Sequence, residues 1–323
     1  MSDSTPEPLI SRLEIKILDS MTQIEMSSYE QLRSVQSHDT PFLSYAYLSA
    51  LHDSQCANLE TGFQFQLLTL WDQQELVAAC PFYIKNHSMG EYVFDQSWAN
   101  AYHQHGLEYY PKITIAPPFT PVPGSRLLVQ HERFRLLLLK ALENFAEQNK
   151  LSSIHMLFAS NEDLTAAEQA GWLLRHGVQF HWHNPEKKYL DFTDFLSQLN
   201  QVKRKKIKQE QLKVKNAGVQ FRHMQGHEIS TQDWAFFYQC YAQTYYEHGR
   251  PPYLNPEFFQ QIARTMPDNW LLFIAEKNGQ AIASSLIGLH TSQQHINGQL
   301  TEHKTAYGRY WGALERVDCL HFE

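Results

Sequence analysis

The sequence predicts an α/β protein built from two tandem domains, each with a mixed, twisted sheet. The chain has 323 residues, and this length favours two domains that each bury a core. Segments whose apolar residues recur with a strand period alternate with segments of helical period. Their order in the first half recurs in the second. We therefore expect a polar N-terminal segment with the first strand at residues 1–25, a first domain at 26–188 and a second domain at 189–323.

The first half begins with a strand and continues through a helix and a hairpin. Leu13, Ile15 and Ile17 alternate with polar residues as in a strand. Pro41 suits the first turn of a helix, and Gly171 is a residue type that commonly ends one. In chain order we predict a strand at 13–17, a helix at 41–51, strands at 63–71, 75–84 and 112–116, a helix at 131–148, a strand at 153–159, a helix at 164–170 and a strand at 177–183.

The second half repeats this rhythm, and its clearest local signal is a turn. Asn278-Gly279 is typical of a type I′ turn that joins two hairpin strands. In chain order we predict a basic amphipathic helix at 191–216, a strand at 219–223, helices at 231–248 and 255–265, strands at 270–277 and 281–289, a polar loop at 290–305 and a short strand at 306–314. This order resembles that of the acyl-CoA N-acyltransferase (GNAT) fold. The second GNAT-like domain would then be incomplete, so we expect a chain truncated at its C-terminus.

Composition excludes several classes of function. The formal net charge of −7 disfavours nucleic-acid binding over the whole surface. The four cysteines are far apart in sequence and form no C-x-x-C pair, which indicates reduced thiols. Two His-x-His pairs, at 103–105 and 181–183, lack acidic or cysteine partners at a fitting spacing, so we predict no metal site. Neither a signal peptide nor a membrane span is visible, and we expect a cytoplasmic protein.

Residues 90–124 combine aromatic rings, prolines and a few charges. The five prolines, at 111, 117, 118, 121 and 123, remove backbone donors, so we expect a strand edge or an extended loop. Tyr and Trp present flat faces with a polar tip, which suits ligand binding; an aromatic-rich loop that covers a core is the alternative. The candidate pocket residues are Tyr92, Asp95, Trp98, Tyr102, Tyr109, Tyr110, Lys112 and Arg126.

The densest charge in the sequence lies on the predicted helix at 191–216. Its apolar stripe comprises Leu196, Leu199, Ile207 and Val214. Arg204, Lys208 and Lys215 fall together on one flank of that stripe, where they could meet a diphosphate, a nucleic-acid backbone or an anionic membrane. A solvated helix face is the alternative.

A second aromatic cluster, at 307–313, contains Tyr307, Arg309 and Trp311. Arg309-x-x-Gly312-Ala313 is close to the Arg/Gln-x-x-Gly-x-Gly/Ala loop with which GNAT proteins hold the coenzyme A pyrophosphate at a helix N-terminus. Leu314 departs from the last position of that pattern. The segment therefore gives coenzyme A only partial support.

Several of these segments resemble a bacterial family of peptidoglycan biosynthesis/recognition proteins, which are predicted N-acyltransferases. The resemblance covers residues 38–323. It is carried by 81–95, 98–99, 101–102, 109–112, 118–122 and 126–128 in the first half, and by 179–184, 191–192, 204–207, 307–312 and 320–323 in the second. The family is similar to the Fem-type aminoacyl transferases, which have two tandem GNAT-like domains. This resemblance implies that an amine attacks an activated acyl carbonyl through a tetrahedral oxyanion.

We therefore predict an N-acyltransferase that acts on a primary amine, with a peptidoglycan precursor as the expected acceptor. Asp95 or Glu91 would act as the catalytic base. Arg204, Lys208, Tyr307, Arg309 and Trp311 would hold an anionic donor, either acyl-CoA or aminoacyl-tRNA. The alternative is a non-catalytic module that recognises a muropeptide or a nucleotide-sugar. A third hypothesis, tRNA binding through 203–215, is compatible with the first if the donor is carried by tRNA.

Overall fold

The computed structural model describes residues 13–184, 189–296 and 299–322. Its packing divides into two compact units. Unit 1 comprises the described residues up to 174 together with 253–266, and unit 2 comprises those at 175–252 and from 267 onward. Within the described residues, no helix combines the length and apolar character needed to cross a membrane.

A mixed sheet organises unit 1, as the sequence predicts. Its strands are β1 (Leu13–Leu18), β2 (Phe63–Asp72), β3 (Glu75–Lys85), β4 (Lys112–Ile115), β5 (Leu128–Val129) and β6 (Ile154–Met156). The order is β1-β2-β3-β4-β6, with β5 pairing on β3. The pairs are antiparallel except β4 with β6, which run parallel.

Helices pack against the sheet of unit 1, and one of them contributes about a third of the main core cluster. The helices are α1 (Met26–Ser34), α2 (Tyr45–Asp53), α3 (Gln96–Gln104), α4 (Arg133–Gln148), α5 (Asn161–Gln169) and α9 (Pro256–Thr265). In α4, Phe134, Leu138 and Leu142 follow the helical period and are buried against the sheet. The predicted helices at 131–148 and 164–170 are confirmed within a few residues.

Helix α9 belongs to unit 1, although its place in the sequence lies inside the second predicted domain. The ring of Phe258 packs edge-on against Tyr47 of α2 at 5.5 Å. The Asn255 side chain caps α9 and donates to the Ser54 carbonyl oxygen at 2.6 Å. The chain thus returns to unit 1 after it has entered unit 2. A single domain boundary between residues 188 and 189, as predicted, therefore cannot describe how the chain is divided between the two units.

Unit 2 is built on a four-stranded sheet. Its strands are β7 (Val219–Gln225), β8 (Trp270–Lys277), β9 (Gln280–Ile296) and β10 (Gln299–Ala313), and its helices are α6 (Phe192–Ser197), α7 (Gln201–Asn216) and α8 (Thr231–Glu247). The order is β10-β9-β8-β7, and each of these pairs is antiparallel. The mixed sheet predicted for the second domain is therefore wrong over the described strands, because none of their pairs is parallel.

The predicted polar loop at 290–305 is also wrong. His290 pairs with Thr305 and Thr291 pairs with Lys304, so β9 and β10 continue through this region as a two-stranded ribbon. This part of the ribbon extends beyond the positions where β9 pairs with β8. Its polar composition therefore resembled that of a loop. Cross-strand hydrogen bonds satisfy the backbone there without an apolar face.

Two further expectations differ from the structure. Residues 177–183, predicted as a strand, have no regular structure and are exposed. The single helix predicted at 191–216 is two helices, α6 and α7. The break occurs because the Asn200 side chain accepts a hydrogen bond from the Lys203 amide and so begins a new helix.

Candidate functional site

A buried lysine organises the candidate site in unit 1. Lys112 begins β4, and its side chain is fully buried between two carboxylates. Its Nζ lies 2.6 Å from Asp95 Oδ2 and 2.9 Å from Glu91 Oε2, and it donates to Ser88 Oγ at 2.9 Å. An ammonium has three donors, and each has an acceptor here. The pairing allows three charges to be buried together, which an isolated charge could not sustain.

Asp95 collects three donors on one oxygen. Besides Lys112, its Oδ2 accepts hydrogen bonds from Tyr109 at 2.8 Å and Ser88 at 2.7 Å. Burial opposes ionisation, but the hydrogen bonds from Lys112, Ser88 and Tyr109 hold the pKa of Asp95 below its usual value. Burial, together with the bond to Asp95, raises the pKa of Tyr109. Tyr109 therefore remains a protonated donor beside an ionised carboxylate.

A chain of hydroxyls connects Asp95 to a half-buried tyrosine. Ser88 Oγ lies 2.8 Å from the hydroxyl oxygen of Tyr110. Because a serine has a single hydroxyl proton and Ser88 gives it to Asp95, Tyr110 is the donor in this contact. The order of donation is thus Tyr110 to Ser88 to Asp95. Such a chain can transfer a proton from the half-buried hydroxyl to the carboxylate.

Glu91 is buried beside Lys112, with partners of its own. Its Oε2 faces Lys112, and its Oε1 accepts a hydrogen bond from Thr114 at 3.0 Å. Both carboxylate oxygens are therefore engaged inside unit 1. This arrangement suits the positioning of Lys112 better than proton transfer to a substrate.

Sequence reasoning missed a second buried lysine at the site. Lys85 ends β3 and pairs in register with Lys112. Its Nζ donates to the Met89 carbonyl oxygen at 3.1 Å and lies 2.9 Å from the Phe63 ring centroid. Burial lowers its pKa, Glu91 opposes this effect and Lys112 adds to it, and the resulting pKa is about 7. The only signal was a lysine at the end of an apolar strand, and that position usually marks an exposed strand end.

The low pKa of Lys85 gives a pH prediction. The unfolded chain binds this proton up to a pKa of 10.5, whereas the folded chain releases it near 7. Stability therefore rises with pH across that window and is lost as pH falls toward 7. We expect wild type to gain on the order of 2–3 kcal/mol between pH 6.5 and 9.5 in urea unfolding, and Lys85→Met to lose most of this gain. Lys140→Met, at an exposed position of α4, should keep this gain in stability. If the free energy of unfolding rose equally with pH in wild type and in Lys85→Met, the prediction would be contradicted.

The structure brings together most of the predicted pocket residues of unit 1. Glu91, Asp95, Tyr109, Tyr110 and Lys112 form one hydrogen-bonded cluster, here called the Lys112 cluster together with Ser88. The Tyr102 ring packs edge-on against Tyr109 at 5.1 Å. Tyr92 and Trp98 are 46% and 42% exposed, and each lies three positions from Asp95 in sequence. Aromatic side chains thus lie close in sequence or in space to the buried charges of the Lys112 cluster.

The extended conformation predicted for 90–124 fails at α3. This helix occupies 96–104, and none of its residues is buried. All five prolines of the segment come after residue 110, so none interrupts a helix at 96–104.

Arg126 lies in a different buried cluster. Its backbone amide donates to Asp163 Oδ2 at 2.6 Å, and its Nε donates to the Leu157 carbonyl oxygen at 2.9 Å. Burial lowers the pKa of Arg126 to about 10, and Asp163 opposes this shift. Asp163 also forms an ion pair with Arg135 of α4. The hydrogen bonds of Arg126 thus join loop segments and α5, and it does not share the partners of Lys112.

The predicted donor residues of unit 2 lie on α7 and β10. Arg204 is half-buried and Lys208 is exposed, and Ile207 and Val214 of the predicted apolar stripe turn inward. Arg309 lies at a register shift of β10 and donates to the Tyr310 hydroxyl at 3.1 Å.

The strand predicted at 306–314 is confirmed as part of β10, so residues 309–313 do not form a loop like the one that holds coenzyme A in GNAT proteins. Tyr307 pairs with Gly288 and Gly312 pairs with Ser284 across the ribbon. The Trp311 ring packs edge-on against His321 at 5.4 Å. A Cβ at Gly312 would overlap the Cys240 carbonyl oxygen of α8, so the glycine permits close helix–strand packing.

Comparison with known proteins gives a family match. Residues 20–323 match the model of the FemAB-like family, described as peptidoglycan biosynthesis/recognition. No curated protein matches the chain. Among solved structures, the chain is similar to the crystal structure of FemX, with 11% sequence identity and a TM-score of 0.41. That match covers 81% of this chain and 58% of the FemX chain.

Proposed function

Because this chain belongs to the FemAB-like family of peptidoglycan biosynthesis/recognition, we propose that it transfers an acyl or aminoacyl group to a primary amine of a peptidoglycan precursor. The observation that carries the proposal is the family match over residues 20–323. The Lys112 cluster supports it with a buried carboxylate that a hydroxyl chain connects to half-buried Tyr110.

The proposed reaction forms one amide bond. The acceptor nitrogen bonds to the acyl carbon, and the bond from that carbon to the donor breaks. The donor is a thioester in acyl-CoA or an ester in aminoacyl-tRNA. The acceptor amine loses one proton to a base, and the leaving thiol or hydroxyl gains one. Hydrogen-bond donors aimed at the tetrahedral oxyanion lower the barrier.

We assign the proton acceptor to Asp95, reached through Tyr110 and Ser88. The amine gives its proton to the Tyr110 oxygen as Tyr110 passes its own proton to Ser88, which passes its proton to Asp95. The low pKa of Asp95 keeps the carboxylate unprotonated at neutral pH, which is the state a proton acceptor needs, although the same low pKa makes it a weak base. Glu91 holds Lys112 in place. Tyr92, Trp98 and Tyr102 would bind the sugar or peptide part of the acceptor through their aromatic faces.

The donor site is proposed in unit 2. Arg204 and Lys208 on the flank of α7 and Tyr307, Arg309 and Trp311 on β10 would hold the anionic part of the donor. Because 309–313 lies in a strand, the specific support for coenzyme A is lost. A tRNA-borne donor that contacts 203–215 would bind with an affinity that falls steeply as salt increases.

A thermal-shift panel tests the proposed class. Acetyl-CoA, an aminoacyl-tRNA and a nucleotide-linked muropeptide are each added to the full chain. A ligand present at about 100 times its Kd stabilises the folded state by about 2.7 kcal/mol. We expect one shift with a donor and a separate shift with the amine-bearing muropeptide. No shift with either class would remove the support for a transferase.

Variants at Asp95 and Arg309 test the assigned residues. Asp95→Asn removes the base, and we expect the transfer rate to fall about 10²-fold or more. Tyr110→Phe removes the first hydroxyl of the chain without removing a charge, and its transfer rate should also fall. Arg309→Ala should raise the concentration of donor needed for half-maximal rate. Glu108→Gln, at an exposed position, is the matched control, and far-UV circular dichroism checks folding. Wild-type transfer rates in both Asp95→Asn and Arg309→Ala would contradict the assignment.

Recognition without catalysis is a second candidate function. The specific observation in its favour is that Lys112 already engages both candidate bases, Glu91 and Asp95, inside the fold. A binding module needs the exposed faces of Tyr92 and Trp98 but no base. It predicts saturable binding of the muropeptide and no product in the presence of any donor, whereas a transferase predicts turnover.

A further inference from the structure

Helix α7 concentrates positive charge in a chain that is acidic overall. Between Gln201 and Asn216 the only acidic residue is Glu210, whereas the chain as a whole has a formal charge of −7. The basic residues of α7 are Lys203, Arg204, Lys205, Lys206, Lys208, Lys213 and Lys215. Such local asymmetry indicates an anionic partner for this surface.

The solvent side of α7 combines lysines with exposed aliphatic side chains. At about 100° per residue, Val202, Lys205, Lys206, Leu212 and Lys213 fall within one arc of about 120° that begins about 80° from buried Val214. We call these five residues the outer face of α7. Val202 is 78% exposed and Leu212 is 54% exposed. Glu210, whose carboxylate lies 3.8 Å from Lys206, is half-buried at the edge of this face.

We propose that the outer face of α7 docks the protein onto an anionic lipid surface. Lysines near such a surface are attracted by its negative potential. Their aliphatic stems can lie along the lipid headgroups while the ammonium groups stay hydrated. Val202 and Leu212 would leave water on docking, and this gain adds to the attraction between charges.

The composition of the face favours lipid over nucleic acid. The outer face contains neither an arginine nor an aromatic ring, the residue types that pair with phosphates in fixed geometry and stack on bases. The single arginine of α7, Arg204, is half-buried on another side and directs Nη1 toward the Ser197 carbonyl oxygen at 3.4 Å. Exposed valine and leucine have no role in a phosphate-binding surface. They do have one at a lipid interface.

The outer face is separate from the residues assigned to the donor. Arg204 and Lys208 lie on one flank of α7, whereas Lys205 lies about 60° or more farther round the helix and Lys206 and Lys213 lie on the other flank. Lipid docking therefore does not depend on the transfer reaction. Partition onto vesicles can be measured without any substrate.

Vesicle flotation of the full chain tests the proposal. The vesicles contain phosphatidylcholine alone or with about 30 mol% phosphatidylglycerol. We expect partition onto the anionic vesicles that weakens as salt increases. At about fivefold per lysine, Lys205→Gln/Lys206→Gln/Lys213→Gln should lower the partition coefficient about 100-fold. Val202→Gln/Leu212→Gln should lower it about tenfold without changing net charge.

A matched triple variant controls for total charge. Lys16, Lys140 and Lys304 lie elsewhere on the chain with side chains 42%, 69% and 72% exposed, and replacing all three by Gln changes net charge by the same amount. We expect this control to partition like wild type, and all variants to keep the wild-type far-UV spectrum. Equal binding to neutral vesicles would overturn the proposal, as would an equal loss in the control. So would an outer-face variant that loses binding to duplex RNA but keeps vesicle binding.

Discussion

Replacement of Lys112 by methionine is expected to destabilise unit 1 by about 3–5 kcal/mol, measured by urea unfolding at pH 7. The side chain is fully buried, and Asp95 and Glu91 are 4% and 6% exposed. Methionine fills much of the volume but leaves two carboxylates buried without their common cation. The cost of uncompensated buried charge is therefore the main part of the expected loss.

Two comparisons separate this cause from a general packing defect. In Lys112→Met/Glu91→Gln/Asp95→Asn the two carboxylates are neutral as well, and we expect most of the lost stability to return. Lys140→Met, at the exposed end of a surface ion pair in α4, should change stability by less than about 1 kcal/mol. If the triple variant were no more stable than Lys112→Met, packing rather than charge would be the cause.

Local signals in the sequence were sufficient for much of the fold. Phe134, Leu138 and Leu142 keep a helical period over a long segment, and the structure confirms that helix as α4. The Asn278-Gly279 turn has positive φ at both residues and joins β8 to β9, as its sequence predicts. In both cases the residues that determine the conformation are neighbours in the chain.

The differences arise where distant residues decide the structure. The attachment of α9 to unit 1 depends on contacts with Tyr47 and Ser54, about 200 positions earlier in the chain. The long β9–β10 ribbon depends on pairing between two polar segments that carry no strand period. Neither interaction leaves a pattern within one window of sequence.

The same contrast between local signals and contacts of distant residues applies to the candidate site. Charges at 91, 95 and 112 within an aromatic, proline-rich segment drew attention to the Lys112 cluster, although their catalytic roles stay predictions. Their mutual pairing required the register of β4 on β3, which also places Lys85 beside Lys112. Arg126 was grouped with them because it is near in sequence, whereas its hydrogen bonds join it to Asp163.

Gly312→Ala is expected to destabilise unit 2 by about 3 kcal/mol or more, for a reason unrelated to ligand binding. Gly312 is buried where β10 meets α8, and its new Cβ would overlap the Cys240 carbonyl oxygen and lie 2.9 Å from Thr244 Oγ1. A backbone carbonyl in the middle of a helix cannot turn aside. Helix α8 would have to move away from the strand, and the hydrogen bond from Thr244 to the Trp311 carbonyl oxygen would be lost.

Gly308→Ala provides the matched control on the same strand. Gly308 is exposed, and a Cβ there would meet no atom within 4 Å. Because alanine restricts the unfolded chain more than glycine does, this variant should be neutral or slightly more stable, by up to about 1 kcal/mol. A chemical-denaturation comparison of the two variants decides the role of Gly312. If Gly312→Ala were as stable as Gly308→Ala, close packing of α8 on β10 would not explain the glycine, and a ligand-binding role would again be the better explanation.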